Sequence, residues 1–198
     1  MSVLRKNANG KSQYLRINAK ESRPQTMQKP IKLGLLSDTH QQTQLHQDAI
    51  AQLKREGATH LLHAGDLEKE EHLQLLEASG LPTVAVYGNN DTALIPLYGR
   101  YRIYREPHYF SIEGIKIKMM HLPYYMNPDA DIVIFGHTHR FEASLKGETL
   151  FINAGEVCAR EKPLSECAMI EVEESGFKVT HYVRPLNAQE WTVRQIEL

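Results

Sequence analysis

From residue 31 onward, apolar and polar positions fall into short, regular blocks. Ile31–Leu36 is an apolar run of strand length, and Thr43–Glu56 places Leu45, Ala49, Ile50 and Leu53 on one helical face before Gly57. Thr59–Ala64 reads as a strand, Glu70–Ala78 as a helix carrying Leu73, Leu75 and Leu76, and Thr83–Tyr87 as a third buried strand. This alternation predicts a βαβαβ unit with parallel pairing.

Beyond residue 100 strands dominate. Tyr109–Glu113 and Ile115–His121 flank Gly114 as a hairpin, with strict alternation in Ile115, Ile117 and Met119. Ile132–Phe135, Phe141–Lys146, Thr149–Asn153, Cys167–Val172 and Phe177–Val183 follow, with turns at Lys146-Gly147 and Ser175-Gly176. Trp191–Ile196 is expected to be a strand that pairs with the N-terminal zone. An α/β first half and a β-rich second half predict two packed sheets with helices outside, a single domain spanning residues 31–198.

Residues 1–30 differ in composition. Asn9-Gly10 predicts a hairpin between Ser2–Lys6 and Gln13–Asn18, and Pro24 and Pro30 mark a linker. This basic extension holds seven Lys/Arg and one acid, so the rest of the chain is acidic although the whole carries only −1. The near-zero sum argues against a general nucleic-acid binder or a membrane-surface protein. At 198 residues, 41% hydrophobic and 24% charged, the chain is long enough for a real core and is neither disordered nor a coiled coil. No apolar run approaches the ~18 residues of a membrane span. Two cysteines, Cys158 and Cys167, make no disulfide framework and point to reduced thiols in the cytoplasm.

The chemistry-bearing residues bunch where apolar strands stop. Asp38 and His40 follow the first strand, Gly65-Asp66 the second, and Gly88-Asn89-Asn90-Asp91 the third; His121 and Gly136-His137-Thr138-His139 end two later ones. Ligand sites of parallel α/β sheets lie beyond such carboxyl ends, so five ends predict one site. Residues i and i+2 of an extended segment point the same way, which would let Asp38 with His40, and His137 with His139, each face one ion. Two Asp, one Asn and four His exceed the ligand set of a single structural zinc and suit two ions. Oxygen and imidazole donors without thiolate fit Mn, Fe, Zn, Ni or Co.

The ordered set Asp38-x-His40, Gly65-Asp66, Gly88-Asn89, His121 and Gly136-His137-x-His139 resembles the calcineurin-like metallophosphoesterases, and in size their small YfcE-type phosphodiesterase branch. The resemblance covers about residues 31–183 and includes an Asn153-Ala154-Gly155 turn. It implies a β-sandwich of two mixed sheets flanked by helices, and two divalent metals, manganese foremost. Asp38, His40, Asp66 and His139 would hold the first metal; Asp66, as bridge, with Asn89, His121 and His137 would hold the second. The implied reaction is hydrolysis of small or nucleotide-like phosphoesters by attack of a metal-bridging hydroxide, with Asp66, Asn89, Asn90 and His137 as catalytic residues. Two readings stand beside it. One is a non-catalytic scaffold of the same fold, as in the retromer small subunit, and the other a nuclease supported only by the basic arm. Self-association is left open.

The chain departs from the family pattern in three places. Asn90 stands where many members have a proton-donating His; an amide can bind phosphate but delivers no proton, a loss typically of 10²–10⁴-fold, roughly 3–5 kcal/mol. Only fifteen residues separate His121 from His137, so the intervening helix is expected to be shortened or lost, with Tyr124 or Tyr125 as a new cleft wall or plain surface. Pro is absent after Asn153. Arg160 either reaches substrate phosphate or is a structural surface residue. His46, His60, His72, His108 and His181 read as surface or satisfied core groups, His63 as a buried hydrogen-bonded ring or a support for the site, and Asp91 as a loop-orienting residue or a cap.

Overall fold

The computed structural model describes residues 2–6, 12–16 and 30–198. Strands β1 (Ser2–Lys6) and β2 (Ser12–Arg16) pair antiparallel, Ser2 opposite Arg16, as a sheet of their own. The expected Asn9-Gly10 turn and Pro24 lie outside the described residues.

The βαβαβ unit forms as β3 (Ile31–Leu36), α1 (Thr43–Arg55), β4 (His60–His63), α2 (Glu70–Ala78) and β5 (Thr83–Val86). Charge complements the helix dipoles: Glu70 and Glu71 open α2, and Lys54 and Arg55 close α1. A 3-10 helix (Asp91–Leu97) leads to a two-residue edge strand, β6 (Ile103–Tyr104). The hairpin follows as β7 (His108–Ile112) and β8 (Ile115–Met119). Next come β9 (Ile132–Phe135), β10 (Phe141–Lys146), β11 (Thr149–Ala154), β12 (Leu164–Glu173), β13 (Gly176–Pro185) and β14 (Thr192–Ile196).

Two mixed sheets result. One runs β14-β13-β12-β3-β4-β5-β6 and the other β10-β11-β9-β8-β7. In the first, β3 to β6 are parallel, with Leu35 beside Leu62 and Leu62 beside Val84, while β12 runs antiparallel to β3. In the second, β8, β9 and β11 are parallel. Leu33, Leu35, Ile117, Ile132, Ile134, Ile152 and Ile170 meet between the sheets, each essentially inaccessible. A second core lies between the larger sheet and the helices: Ile50 and Leu53 of α1 and Leu73 and Leu76 of α2 pack with Leu36, Leu61 and Ala85. Strands covered on both faces must be apolar throughout, which is why β9 reads Ile-Val-Ile-Phe. The expected sandwich flanked by helices is therefore present.

One pairing differs from expectation. β14 pairs with β13, Val193 opposite Tyr182, and not with the N-terminal strands. β13 offers a free antiparallel edge a short turn away, so closing that hairpin costs far less chain entropy than a distant pairing.

No helix spans the link from β8 to β9. Lys118, fully buried in β8, pins that link by donating to the Asn127 carbonyl (2.7 Å) and pairing with Asp129 (2.5 Å), and Tyr109 donates to the same carboxylate. Met126 packs against Met120, Val133, Phe135 and Phe151 where a helix would otherwise cover the sheet. Tyr124 and Tyr125 point outward, 74% and 51% exposed.

Candidate functional site

The carboxyl ends of β3, β4, β5, β8 and β9 converge, and the loops that leave them carry the predicted residues. The backbone does not use the extended geometry expected from the i, i+2 spacing. Asp38, His40, Asp66, His137 and His139 all take left-handed φ values, from +48° to +68°. For non-glycine residues this conformation costs of order 1–3 kcal/mol each. It is held by backbone hydrogen bonds between loops: Asp38 N–H donates to the Gly65 carbonyl, and the Thr39 and His40 amides both donate to that of Asp66 (3.0 and 2.9 Å). Asp38 and His40 thus converge through a tight turn. His137 and His139 diverge: His139 is buried, whereas His137 is exposed.

Two glycines are required by close approach. A Cβ on Gly88 would sit 2.2 Å from Asp66 Oδ1, and one on Gly136 would sit 2.2 Å from Ser37 Oγ and 2.7 Å from the Ala64 carbonyl.

Three imidazoles share one arrangement. Nδ1 of His40 lies 2.6 Å from Glu68 Oε1, Nδ1 of His139 2.6 Å from Glu156 Oε2, and Nδ1 of His121 2.9 Å from the Ala64 carbonyl. Each contact requires the proton on Nδ1, leaving the Nε2 lone pair of the neutral ring facing the site. Those Nε2 atoms face acceptors. His139 Nε2 is 3.3 Å from Asp38 Oδ1 and 3.3 Å from His40 Nε2, His121 Nε2 is 2.9 Å from Asn89 Oδ1 and 3.5 Å from Asp66 Oδ2, and His40 Nε2 is 3.7 Å from Asp66 Oδ2. Asp38 Oδ1 is buried without a hydrogen-bond donor among the described residues. Asp38, His40 and Asp66 offer donor atoms within 4.8 Å of one another, as do His40, His139 and Cys158. Acceptors converging on acceptors, with a buried carboxylate oxygen orphaned, form a donor set that fits divalent cations.

The electrostatics agree. Burial raises the Asp38 carboxyl above its ordinary value, partly offset by His121 and by the Ser37 hydroxyl, which donates at 2.5 Å. Burial would raise Glu156 too, but hydrogen bonds from His139 and from the Glu161 and Lys162 amides prevail and hold it at about 2. Burial lowers His139, yet Glu156 and Asp38 outweigh it and the net direction is upward. Cys158, beside His139, is raised to about 12 by burial and by Glu156, so without a metal it is a neutral thiol.

His137 is the exposed member of the set. Its ring meets that of His121 edge-on at 5.2 Å, and its amide donates to Asp38 Oδ2 at 3.2 Å. Asn90 clasps the Asp66 carboxylate, its N–H on Oδ1 (2.9 Å) and its Nδ2 on Oδ2 (2.7 Å). Arg160 is no bystander: Nη2 reaches His139 Nε2 at 3.1 Å.

Several residues support the site, of which Glu68, Glu106 and Glu156 have no motif to announce them. Asp91 caps nothing; instead its carboxylate accepts the amides of Asp66 (2.9 Å), Glu68 (2.6 Å) and Gly88 (2.7 Å), tying two loops together. Glu106 holds the His121 and Leu122 amides. His63 is both buried and supportive: its Nδ1 accepts the Gly65 N–H, so Nε2–H donates to Thr39 Oγ1 at 2.8 Å. Buried His46 departs from expectation, because neither ring nitrogen has a hydrogen-bond partner among the described residues; it is wedged edge-on against His63 and His72. Glu68 and Glu156 follow Asp66 and Asn153 closely enough that an acid near a ligand His was the available signal.

Comparison with known proteins agrees with the strand-end pattern. Phosphodiesterase MJ0936 of Methanocaldococcus jannaschii is 23% identical over 162 residues, which are 75% of this chain and 97% of that protein. Vacuolar protein sorting 29 from Cryptosporidium parvum has the same fold at a TM-score of 0.66 and 20% identity, covering 85% of this chain and 98% of the other. The phosphoesterase YfcE from E. coli superposes at 0.61 and 20% identity, covering 84% and 98%. A family model for the calcineurin-like phosphoesterase superfamily domain matches residues 31–175, the span that includes all five strand ends described above. The chain therefore belongs to the calcineurin-like phosphoesterase superfamily.

Proposed function

We propose that the protein is a dinuclear metal-dependent phosphodiesterase acting on small or nucleotide-like phosphoesters. The observation that carries this reading is the set of three imidazoles, each with Nδ1–H already donated and Nε2 aimed at oxygen or nitrogen acceptors. Asp38, His40, Asp66 and His139 would hold one cation, and Asp66, Asn89, His121 and His137 the other. Manganese leads the candidates, with Zn, Fe, Ni and Co chemically compatible. When bound, such ions acidify water toward neutral pH and offset charge growing on phosphoryl oxygens.

The chain's own residues have separable tasks. Glu68, Glu156 and the Ala64 carbonyl fix the ring orientation of His40, His139 and His121. Asn90 steers Asp66 and leaves no acid to protonate the departing oxygen, so esters whose leaving group departs as a stable anion are preferred. Arg160, exposed beside His139, supplies a cation toward phosphate once a metal takes over the His139 lone pair. The fold shared with the vacuolar sorting proteins keeps a scaffold role as the second reading, and because one of them, from Entamoeba histolytica, was solved with zinc, turnover and not metal binding separates the two. Hydrolysis of bis(p-nitrophenyl) phosphate with added Mn²⁺ tests the reading: turnover abolished by chelator supports it, and absence of turnover with every candidate metal contradicts it.

A further inference from the structure

Beside the donor cluster lies a cavity of about 530 Å³ to which no task has yet been given. It opens at the carboxyl ends of β5 and β6, the side of the sheet on which the cluster sits. Its walls are Tyr87, Ile95, Tyr98, Tyr104, Arg105 and His108, and its inner end is formed by Gly88 and Asp91. Gly88 packs directly on the Asp66 carboxylate, and Asp91 accepts the Asp66 amide, so the cavity and the cluster share one wall. We propose that this cavity receives a planar aromatic group carried by the phosphoester, as a nucleobase or as an aryl ester arm, and so sets substrate preference; the proposal rests on the phosphodiesterase reading above.

Three features point to such an occupant. Tyr104 and His108 stack face to face, centroids 4.0 Å apart at 4°, and so hold each other as a rigid aromatic part of the wall. Ile95 of the 3-10 helix and Tyr98 just after it, 52% and 69% exposed, add further apolar lining. Tyr87 lines the cavity too, and because its hydroxyl is buried it offers the cavity its ring and not a polar group. The volume lies in the range of small-ligand sites, roughly 300–1,000 Å³, and Arg105 at the rim adds a cation for a polar ring substituent.

The test uses two esters with one leaving group, p-nitrophenyl thymidine 5′-phosphate and p-nitrophenyl methyl phosphate, on the metal-loaded protein. Tyr98→Ala, at an exposed position, is expected to raise KM about 5-fold with kcat little changed, and Tyr98→Phe to restore the parent value. A rise for the thymidine ester alone assigns the base; an equal rise for both assigns the nitrophenyl ring. Saturation-transfer NMR of the metal-free chain with adenosine 5′-monophosphate reads the cavity without turnover, the base protons being most strongly saturated and Tyr98→Ala removing the effect. If that effect is seen but neither ester is hydrolysed, the catalytic reading fails and takes the role in substrate preference with it, leaving only an aromatic-binding cavity. Unchanged KM for both esters, with equal saturation in parent and variant, overturns the cavity assignment and leaves the catalytic reading intact.

Discussion

His40 and His139 face each other Nε2 to Nε2 at 3.3 Å, although each ring has committed its Nδ1–H to a carboxylate. Two lone pairs at that distance repel; Arg160 Nη2, 3.1 Å from His139 Nε2, relieves one of them, and a cation held between the rings would relieve both. Glu68 and Glu156 enforce the arrangement. Glu68→Gln or Glu156→Gln is therefore expected to weaken metal binding about 10–100-fold, read by titrating the chain with Mn²⁺ and Zn²⁺. An unchanged affinity in both would show that ring orientation is set elsewhere.

Asn90 should be the determinant of leaving-group preference. Asn90→His restores a potential acid and is expected to raise kcat on poor leaving groups by up to about 10²-fold, with little change for p-nitrophenyl esters. The comparison of alkyl and aryl phosphodiesters checks this, and a uniform change across both would contradict it.

Asp91 accepts three loop amides on one carboxylate. Asp91→Ala leaves those buried donors without their partner, and each costs about 1–3 kcal/mol. A stability loss of at least about 3 kcal/mol is expected by urea denaturation, together with weaker metal binding because Asp66 and Glu68 lose their anchor. Retained stability would mean that the loops hold each other without it.

His46 should make the fold acid-sensitive. Burial, reinforced by His72, lowers it from 6.5 to about 3. Above pH 6.5 the ring is neutral in both folded and unfolded chains and costs nothing. Below 6.5 the unfolded chain takes up a proton that the fold refuses, so stability falls by about 1.4 kcal/mol per pH unit until about pH 3. His46→Phe keeps the edge-on ring contacts and removes the titration. In chelator, unfolding at pH 7 and pH 5 should show the parent losing about 2 kcal/mol more than the variant. Equal losses would exclude His46 as the cause.

The βαβαβ unit and most later strands were legible because apolar runs bounded by turn residues report burial directly. β6 and the 3-10 helix before it were not: two residues carry no periodicity, and Pro96 hides a short helix. The partner of β14 depended on which edge was free, a tertiary property. At the site, the polar strand ends were readable because each group follows an apolar strand, and their convergence follows from parallel pairing. The left-handed turns at Asp38 and His139 were invisible, since neither residue type demands them. So was Glu156, whose meaning lies in which amides and ring it meets, whereas Asp91, placed in the third motif, was readable as a loop-orienting residue though not in its choice of three amides.

The most direct measurement is metal stoichiometry against turnover. Metal-free protein titrated with Mn²⁺ should bind about two equivalents, phosphodiester hydrolysis rising with occupancy and both vanishing in Asp66→Ala. Hydrolysis that persists in chelator, or binding and turnover that survive in Asp66→Ala, would contradict the account.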